Sequence, residues 1–225
     1  MSSSAIGHPS PNFNARPDGA QVDMLVLHYT GMRTGAAALD RLCDPAAQVS
    51  AHYLIEEDGR VFQLVAEAAR AWHAGVSSWR GNANVNDRSV GIELVNPGHE
   101  YGYRPFADAQ MTALRELAAG ILGRHPIPAR NVVGHSDVAP TRKQDPGELF
   151  DWRGLAAAGI GLWPAGGADP LAEEDAAAAL AEIGYDVADL AAALTAFQLR
   201  FRPDRVDGVC DAATRARLAA VTAML

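Results

Sequence analysis

The sequence predicts an α/β fold: a central mixed β-sheet flanked by helices, followed by a small C-terminal three-helix domain. Three observations carry this. Met24-Leu25-Val26-Leu27 is an unbroken apolar run, the pattern of a strand covered on both faces. Strand-like and helix-like segments mix through the first two thirds of the chain, as in layered folds with one sheet. Beyond Leu162-Trp-Pro-Ala-Gly-Gly-Ala168 only helical patterns follow. The expected organisation is an irregular arm over 1–20, an α/β domain over 21–162, a linker over 163–169 and a helical domain over 170–225.

The elements follow in order. Residues 1–20 are rich in Ser, Pro, Asn and Gly, and read as irregular. Val22 to His28 reads as the buried strand. Gly35 to Leu42 reads as a helix, with Thr34 as its cap and Pro45 just past its end. Ser50 to Ile55 and Arg60 to Val65 are strands joined by Glu56-Glu57-Asp58-Gly59, where Asp-Gly signals a hairpin. Ser89 to Val95 is a strand stopped by Asn96-Pro97-Gly98. Ala107 to Gly123 carries helical spacing through Met111, Leu114, Leu117, Ile121 and Leu122. Asn131 to Val133 is a short strand opening into His135. The last third reads as helices over Leu171 to Ile183, Val187 to Phe201 and Ala212 onward.

Composition narrows the function. The 225 residues are 48% hydrophobic, enough for a sizeable core. With 27 acids against 19 bases the net charge is −8, which disfavours nucleic-acid backbones and anionic membrane surfaces as partners. No stretch is apolar and long enough to span a membrane. Cys43 and Cys210 fit no paired or metal-binding spacing and read as buried structural thiols. Unpaired thiols and an N-terminus without a secretory pattern point to the cytoplasm, or to the periplasm or wall if a leader has been trimmed. Lys143 is the sole lysine among the 19 basic residues. It stands two residues from Asp145, a spot where a compact cation of tunable pKa differs from an arginine.

A catalytic zinc takes three protein ligands and keeps one position for water. The candidates are His28, in Leu27-His28-Tyr29-Thr30, His135, in Gly134-His135-Ser136-Asp137, and Asp145, in Lys143-Gln144-Asp145-Pro146-Gly147. Both histidines sit at strand ends, where α/β folds place their sites. Local spacing alone does not single them out, and His8, His52, His73, His99 and His125 compete as ligands.

A series of blocks then occurs in one order. They are Leu25 to Thr30, Ser50-Ala-His-Tyr-Leu-Ile55, Asp58-Gly-Arg-Val-Phe-Gln-Leu-Val65, Ala71-Trp-His-Ala-Gly75, Ser89-Val-Gly-Ile-Glu-Leu94 and Val133-Gly-His-Ser-Asp137, with Lys143-x-Asp145-Pro146-Gly147 behind them. The series resembles the N-acetylmuramoyl-L-alanine amidase family of the AmpD/AmiD type, which shares its fold with bacteriophage T7 lysozyme and the peptidoglycan recognition proteins. The likeness covers roughly residues 20 to 150. It implies His28, His135 and Asp145 as zinc ligands, Glu93 as the catalytic glutamate and Lys143 as the catalytic lysine. Relatives with a cysteine third ligand differ at Asp145, some phage relatives carry Tyr in place of Glu93, and binding-only relatives lose a ligand. Trp72 and His73 match a segment near the substrate cleft, and Arg88, with Asn84 and Asn86, lies in a polar loop that can reach sugar or peptide. His52 and Tyr53 read as structural, and Asp137 as a support for His135 or its backbone.

The implied activity is hydrolysis of the amide between the lactyl group of N-acetylmuramic acid and L-alanine. Glu93 would move the proton and Lys143 would steady the oxyanion. Peptidoglycan or its soluble fragments are the implied partners, and recycling of anhydro-muropeptides is the expected setting. The alternatives are an exported autolysin or lysin, a non-catalytic muropeptide-binding protein, and cleavage of a different bond within the stem peptide. Gly184-Tyr185-Asp186, Ala196-Phe197-Gln198 and Val206-Asp207-Gly208 with Thr214 resemble the three-helix peptidoglycan-binding domain found behind wall hydrolases. A helical cap that only stabilises its neighbour is the plainer reading. Nothing in the sequence fixes the oligomeric state.

Overall fold

The structure is a computed structural model that describes residues 5–225; residues 1–4 of the expected arm lie outside the described residues. In chain order the strands are β1 (Ile6–Gly7), β2 (Phe13–Ala15), β3 (Met24–Tyr29), β4 (Tyr53–Ile55), β5 (Val61–Gln63), β6 (Ala69–Ala71), β7 (Ser78–Trp79), β8 (Asn82–Ala83), β9 (Ser89–Leu94) and β10 (Val132–Gly134). The helices are α1 (Gly35–Cys43), α2 (Gly98–Tyr101), α3 (Asp108–Arg124), α4 (His135–Val138), α5 (Trp152–Ala157), α6 (Ala176–Ile183), α7 (Leu190–Phe201) and α8 (Ala212–Thr222).

Among the described residues, six strands form the central sheet in the order β1-β5-β4-β9-β3-β10. The pairing is parallel except between β4 and β5, the hairpin signalled by Asp58-Gly59. Gly59 closes that turn at φ 88°, in the left-handed region where a side chain is strained. Thr34 caps α1 by accepting from the Ala37 N–H at 3.2 Å. The arm differs from expectation. Its β1 extends the sheet edge beside β5, and β2 pairs antiparallel with β6, because the Ser10 hydroxyl donates to Leu42 O and the Asn12 amide to Asp44 O and Val49 O. Backbone satisfied this way needs no hydrophobic pattern. The two cysteines are free and half-buried, more open than expected, and burial raises both thiol pKa values.

The unbroken apolar run of β3 has a two-sided cause. Leu25 and Leu27 face a core with α3 and α5, through Leu114, Ile121, Trp152 and Leu155. Met24 and Val26 face the opposite side and pack with Phe197, Phe201, Leu180 and Val221 of the C-terminal helices. The helices over 176–222 therefore cover the β3 and β10 part of one face of the sheet, and α1 packs on Leu54 and Phe62 beside them. β9 alternates instead: Val90, Ile92 and Leu94 belong to the α3 core, while Ser89, Gly91 and Glu93 are small or polar on the other face. That face leaves room beside β3 for side chains from elsewhere.

Candidate metal centre

Three elements deliver the candidate ligands. His28 is the fifth residue of β3, and its register partner on β9 is Glu93. β10 runs parallel to β3 with Gly134 opposite Leu27, so the next residue, His135, opens α4 beside His28. Asp145 is brought alongside by its own backbone: the Ser136 N–H donates to Asp145 O at 2.9 Å. His28, His135 and Asp145 are buried, at 1%, 4% and 6% exposure.

Their facing atoms form a small triangle. His28 Nδ1 lies 3.0 Å from His135 Nδ1, and each lies 3.1 Å from Asp145 Oδ2. The outer nitrogens reveal which tautomers these are. The Ser89 hydroxyl donates to Val85 O at 2.7 Å, so its oxygen must accept from His73 Nε2 at 3.1 Å. His73 Nδ1 is then the acceptor for His28 Nε2–H at 3.1 Å. His135 Nε2 faces the Ala74 carbonyl at 3.1 Å and must donate to it. Both inward Nδ1 atoms are thus lone pairs, facing a carboxylate oxygen.

Three lone pairs at that spacing repel one another unless a cation sits among them. A tetrahedral zinc with bonds of about 2.0–2.1 Å separates its ligands by roughly 3.3 Å, close to the observed edges. Two histidines and an aspartate, each with its second polar atom or backbone anchored, can hold a metal ion. Burial, helped by neighbouring His135, lowers the His28 pKa to about 4, so the imidazole is neutral at neutral pH.

The other expected residues separate into two groups. Glu93, Lys143, Trp72 and His73 line one cleft of about 510 Å³ together with His135 and Asp145. Burial, reinforced by the Asp145 charge and opposed by Lys143, pushes the Glu93 carboxyl well above the usual range. Its Oε2 is buried and has no hydrogen-bond partner among the described residues. The Trp72 indole donates to Asn14 Oδ1 at 2.9 Å and walls the cleft. His73, expected at the substrate, spends both ring nitrogens on His28 and Ser89 and stands behind the ligand.

Arg88 is not brought to the cleft. It lies at the start of β9, the end of the strand away from Glu93, and ion-pairs with Asp23 there. Asn86 faces inward, its Oδ1 accepting from the His73 N–H at 3.2 Å and the Ala74 N–H at 2.8 Å. His52 is structural, accepting from the Gly91 N–H at 2.9 Å. Sequence reading missed Ser89, Gly91 and Arg142. A Cβ on Gly91 would stand 2.5 Å from the His73 ring. Arg142 donates to the Ala74 carbonyl at 3.1 Å and so holds the acceptor of His135. The small-polar alternation Ser89-x-Gly91-x-Glu93 is the signal that would have found the first two; backbone carbonyls leave none.

Comparison with known proteins places this geometry. A profile described as N-acetylmuramoyl-L-alanine amidase matches residues 18–148. The chain is 40% identical to the N-acetylmuramoyl-L-alanine amidase AmiD of Escherichia coli over 87% of this chain and 80% of that one. It is 39% identical to the 1,6-anhydro-N-acetylmuramyl-L-alanine amidase AmpD of Haemophilus influenzae over 64% of this chain and 85% of that one. Among solved structures, E. coli AmiD in complex with the substrate anhydro-N-acetylmuramic acid-L-Ala-D-γ-Glu-L-Lys superposes with TM-score 0.82 at 38% identity. That likeness covers 93% of this chain and 92% of that one.

Proposed function

Because the chain belongs to the N-acetylmuramoyl-L-alanine amidase family, we propose that it is a zinc hydrolase acting on soluble anhydro-muropeptides. It cleaves the amide between the lactyl group of N-acetylmuramic acid and the L-alanine of the stem peptide. The observation that carries this is the buried triangle of inward lone pairs on His28, His135 and Asp145, with an unpartnered glutamate oxygen beside it.

His28, His135 and Asp145 would hold the zinc. Bound there, it would make water more acidic and polarise the substrate carbonyl. Glu93, opposite His28 on the neighbouring strand, takes the proton of the attacking water and passes it to the leaving amine. Its free Oε2 and raised pKa suit a group that must hold a proton between those two events. Lys143 lines the same cleft and steadies the oxyanion of the tetrahedral intermediate. Trp72 offers a flat wall for sugar or peptide, while His73, Ser89 and Asn86 hold the ligand shell in place.

A second reading, action on intact wall, is favoured by the likeness of residues 170–225 to wall-binding helical domains. Digestion of soluble anhydro-muropeptides and of purified sacculi, followed by mass spectrometry, separates the two. Faster release of free stem peptide beginning at L-alanine from the soluble substrate supports the recycling role. Release from sacculi alone rejects that role, and a product of another mass rejects the assigned bond.

A further inference from the structure

The C-terminal helices reach the residue beside a metal ligand. Asp137, two residues after His135, is fully buried. Its Oδ2 accepts from the Gly134 N–H at 2.7 Å, one residue before His135. The same oxygen accepts from Arg200 Nη1 at 2.9 Å, and Oδ1 accepts from the Tyr185 hydroxyl at 2.5 Å. Arg200 is only 3% exposed and stands on α7; Tyr185 follows α6 and is also 3% exposed. One carboxylate thus ties the start of the ligand helix to two side chains from far along the chain.

Arg200 also reaches a neighbour of the Asp145 segment, on α5. Its guanidinium lies 4.2 Å from the centroid of the Trp152 ring. Trp152 and Pro146, the residue after Asp145, together wall the spot where a Gly134 Cβ would stand, at 3.4 and 2.7 Å. Docking alone needs no such charge, since Phe197, Leu180 and Val221 already pack on Met24 and Val26. A buried ion pair contributes little net stability against apolar packing, whereas losing one partner strands a charge. Its worth here lies in where it points.

We propose that Tyr185 and Arg200 are positioning residues for the metal centre, so that the C-terminal helices set the metal affinity of His28, His135 and Asp145. This rests on the metal-hydrolase reading above. Groups that orient a ligand from behind typically alter metal affinity about ten- to a hundredfold.

The test uses the full chain as wild type, Tyr185→Phe, Arg200→Lys and Arg200→Met. Zinc affinity is read by chelator competition, ligand geometry by the visible spectrum of the cobalt-substituted protein, and folding by the thermal midpoint without metal. Tyr185→Phe should weaken zinc roughly tenfold and shift the cobalt spectrum. Arg200→Met should weaken it further, with Arg200→Lys between it and wild type. If Arg200→Met fails to fold, Tyr185→Phe and Arg200→Lys decide. Wild-type zinc affinity and cobalt spectrum in those two, with only a lowered midpoint, would overturn the proposal and leave the helices as scaffold. A wild-type chain that binds neither metal would overturn the metal-hydrolase reading itself, and this proposal with it.

Discussion

A serine proton settles which nitrogen of His28 carries the hydrogen: Nε2, leaving the Nδ1 that faces Asp145 bare. Ser89 spends its hydrogen on Val85 O, so His73 must donate to Ser89 and accept from His28. The ligand atom is left bare by a chain of three side chains. Glu93 stands apart from that chain, with Oε2 unpartnered. Its replacement therefore separates chemistry from metal binding. Glu93→Gln should keep zinc near wild-type affinity and lose about 10²–10⁴ in turnover, the range for a proton-transfer group. Steady-state kinetics with metal analysis checks it; unchanged turnover would remove Glu93 from the mechanism. At this scale the meeting of His28, His135 and Asp145, beside a cleft lined by Glu93 and Lys143, was legible through the block order around them. The part Asn86 plays behind His73 was not, because it arises from a contact across 13 residues that no local pattern records.

Elements carry the ligands only if their small residues stay small. Gly91 lies on the face of β9 against which the His73 ring packs, and an added Cβ would meet that ring at 2.5 to 2.7 Å. Gly91→Ala should cost about 1–3 kcal/mol, as overpacking does. It should also weaken zinc about tenfold by displacing the partner of His28. Denaturant unfolding and chelator titration check the two effects. A second joint between elements is Glu67, which ties β4 to the end of α3. It accepts from Tyr53 at 2.7 Å, from Arg124 at 2.7 Å and from His125 at 2.6 Å. Burial raises its pKa, but these bonds outweigh it and hold the carboxyl down at about 2, against 4.5 unperturbed. A folded-state pKa below the unfolded one gives stability that is full above about pH 4.5 and is lost as pH falls toward 2. The contribution is on the order of 2 kcal/mol after allowance for solvent screening. Glu67→Gln should flatten that acid limb in urea midpoints measured from pH 7 to pH 3; an unchanged limb would count against the joint. The strands with an apolar run or a hairpin turn were legible. β1 and β2 were not, because side-chain hydrogen bonds from Ser10 and Asn12 hold the arm in place of a hydrophobic stripe.

On the scale of the whole molecule, the sheet is a wall with a different helix layer on each side. α3 and α5 cover one face; the C-terminal helices cover the β3 and β10 part of the other, and α1 covers its β4 and β5 part. His28 and its neighbour Glu93 sit at the end of that second face, where β9 turns small and polar. The composition shift near residue 165 announces the last three helices. That they share a core with β3 was not legible, since Met24 and Val26 give the same apolar signal whatever covers them. The central claim is that a zinc ion among His28, His135 and Asp145 lets this fold hydrolyse the muramoyl–alanine amide. The most direct measurement follows release of stem peptide from a purified anhydro-muropeptide by mass spectrometry. It compares the protein as prepared, after chelation, and after zinc is restored, beside Asp145→Ala. The account predicts free peptide beginning at L-alanine, lost on chelation, recovered with zinc and absent in Asp145→Ala. Full release after complete removal of metal, or from Asp145→Ala, would contradict it.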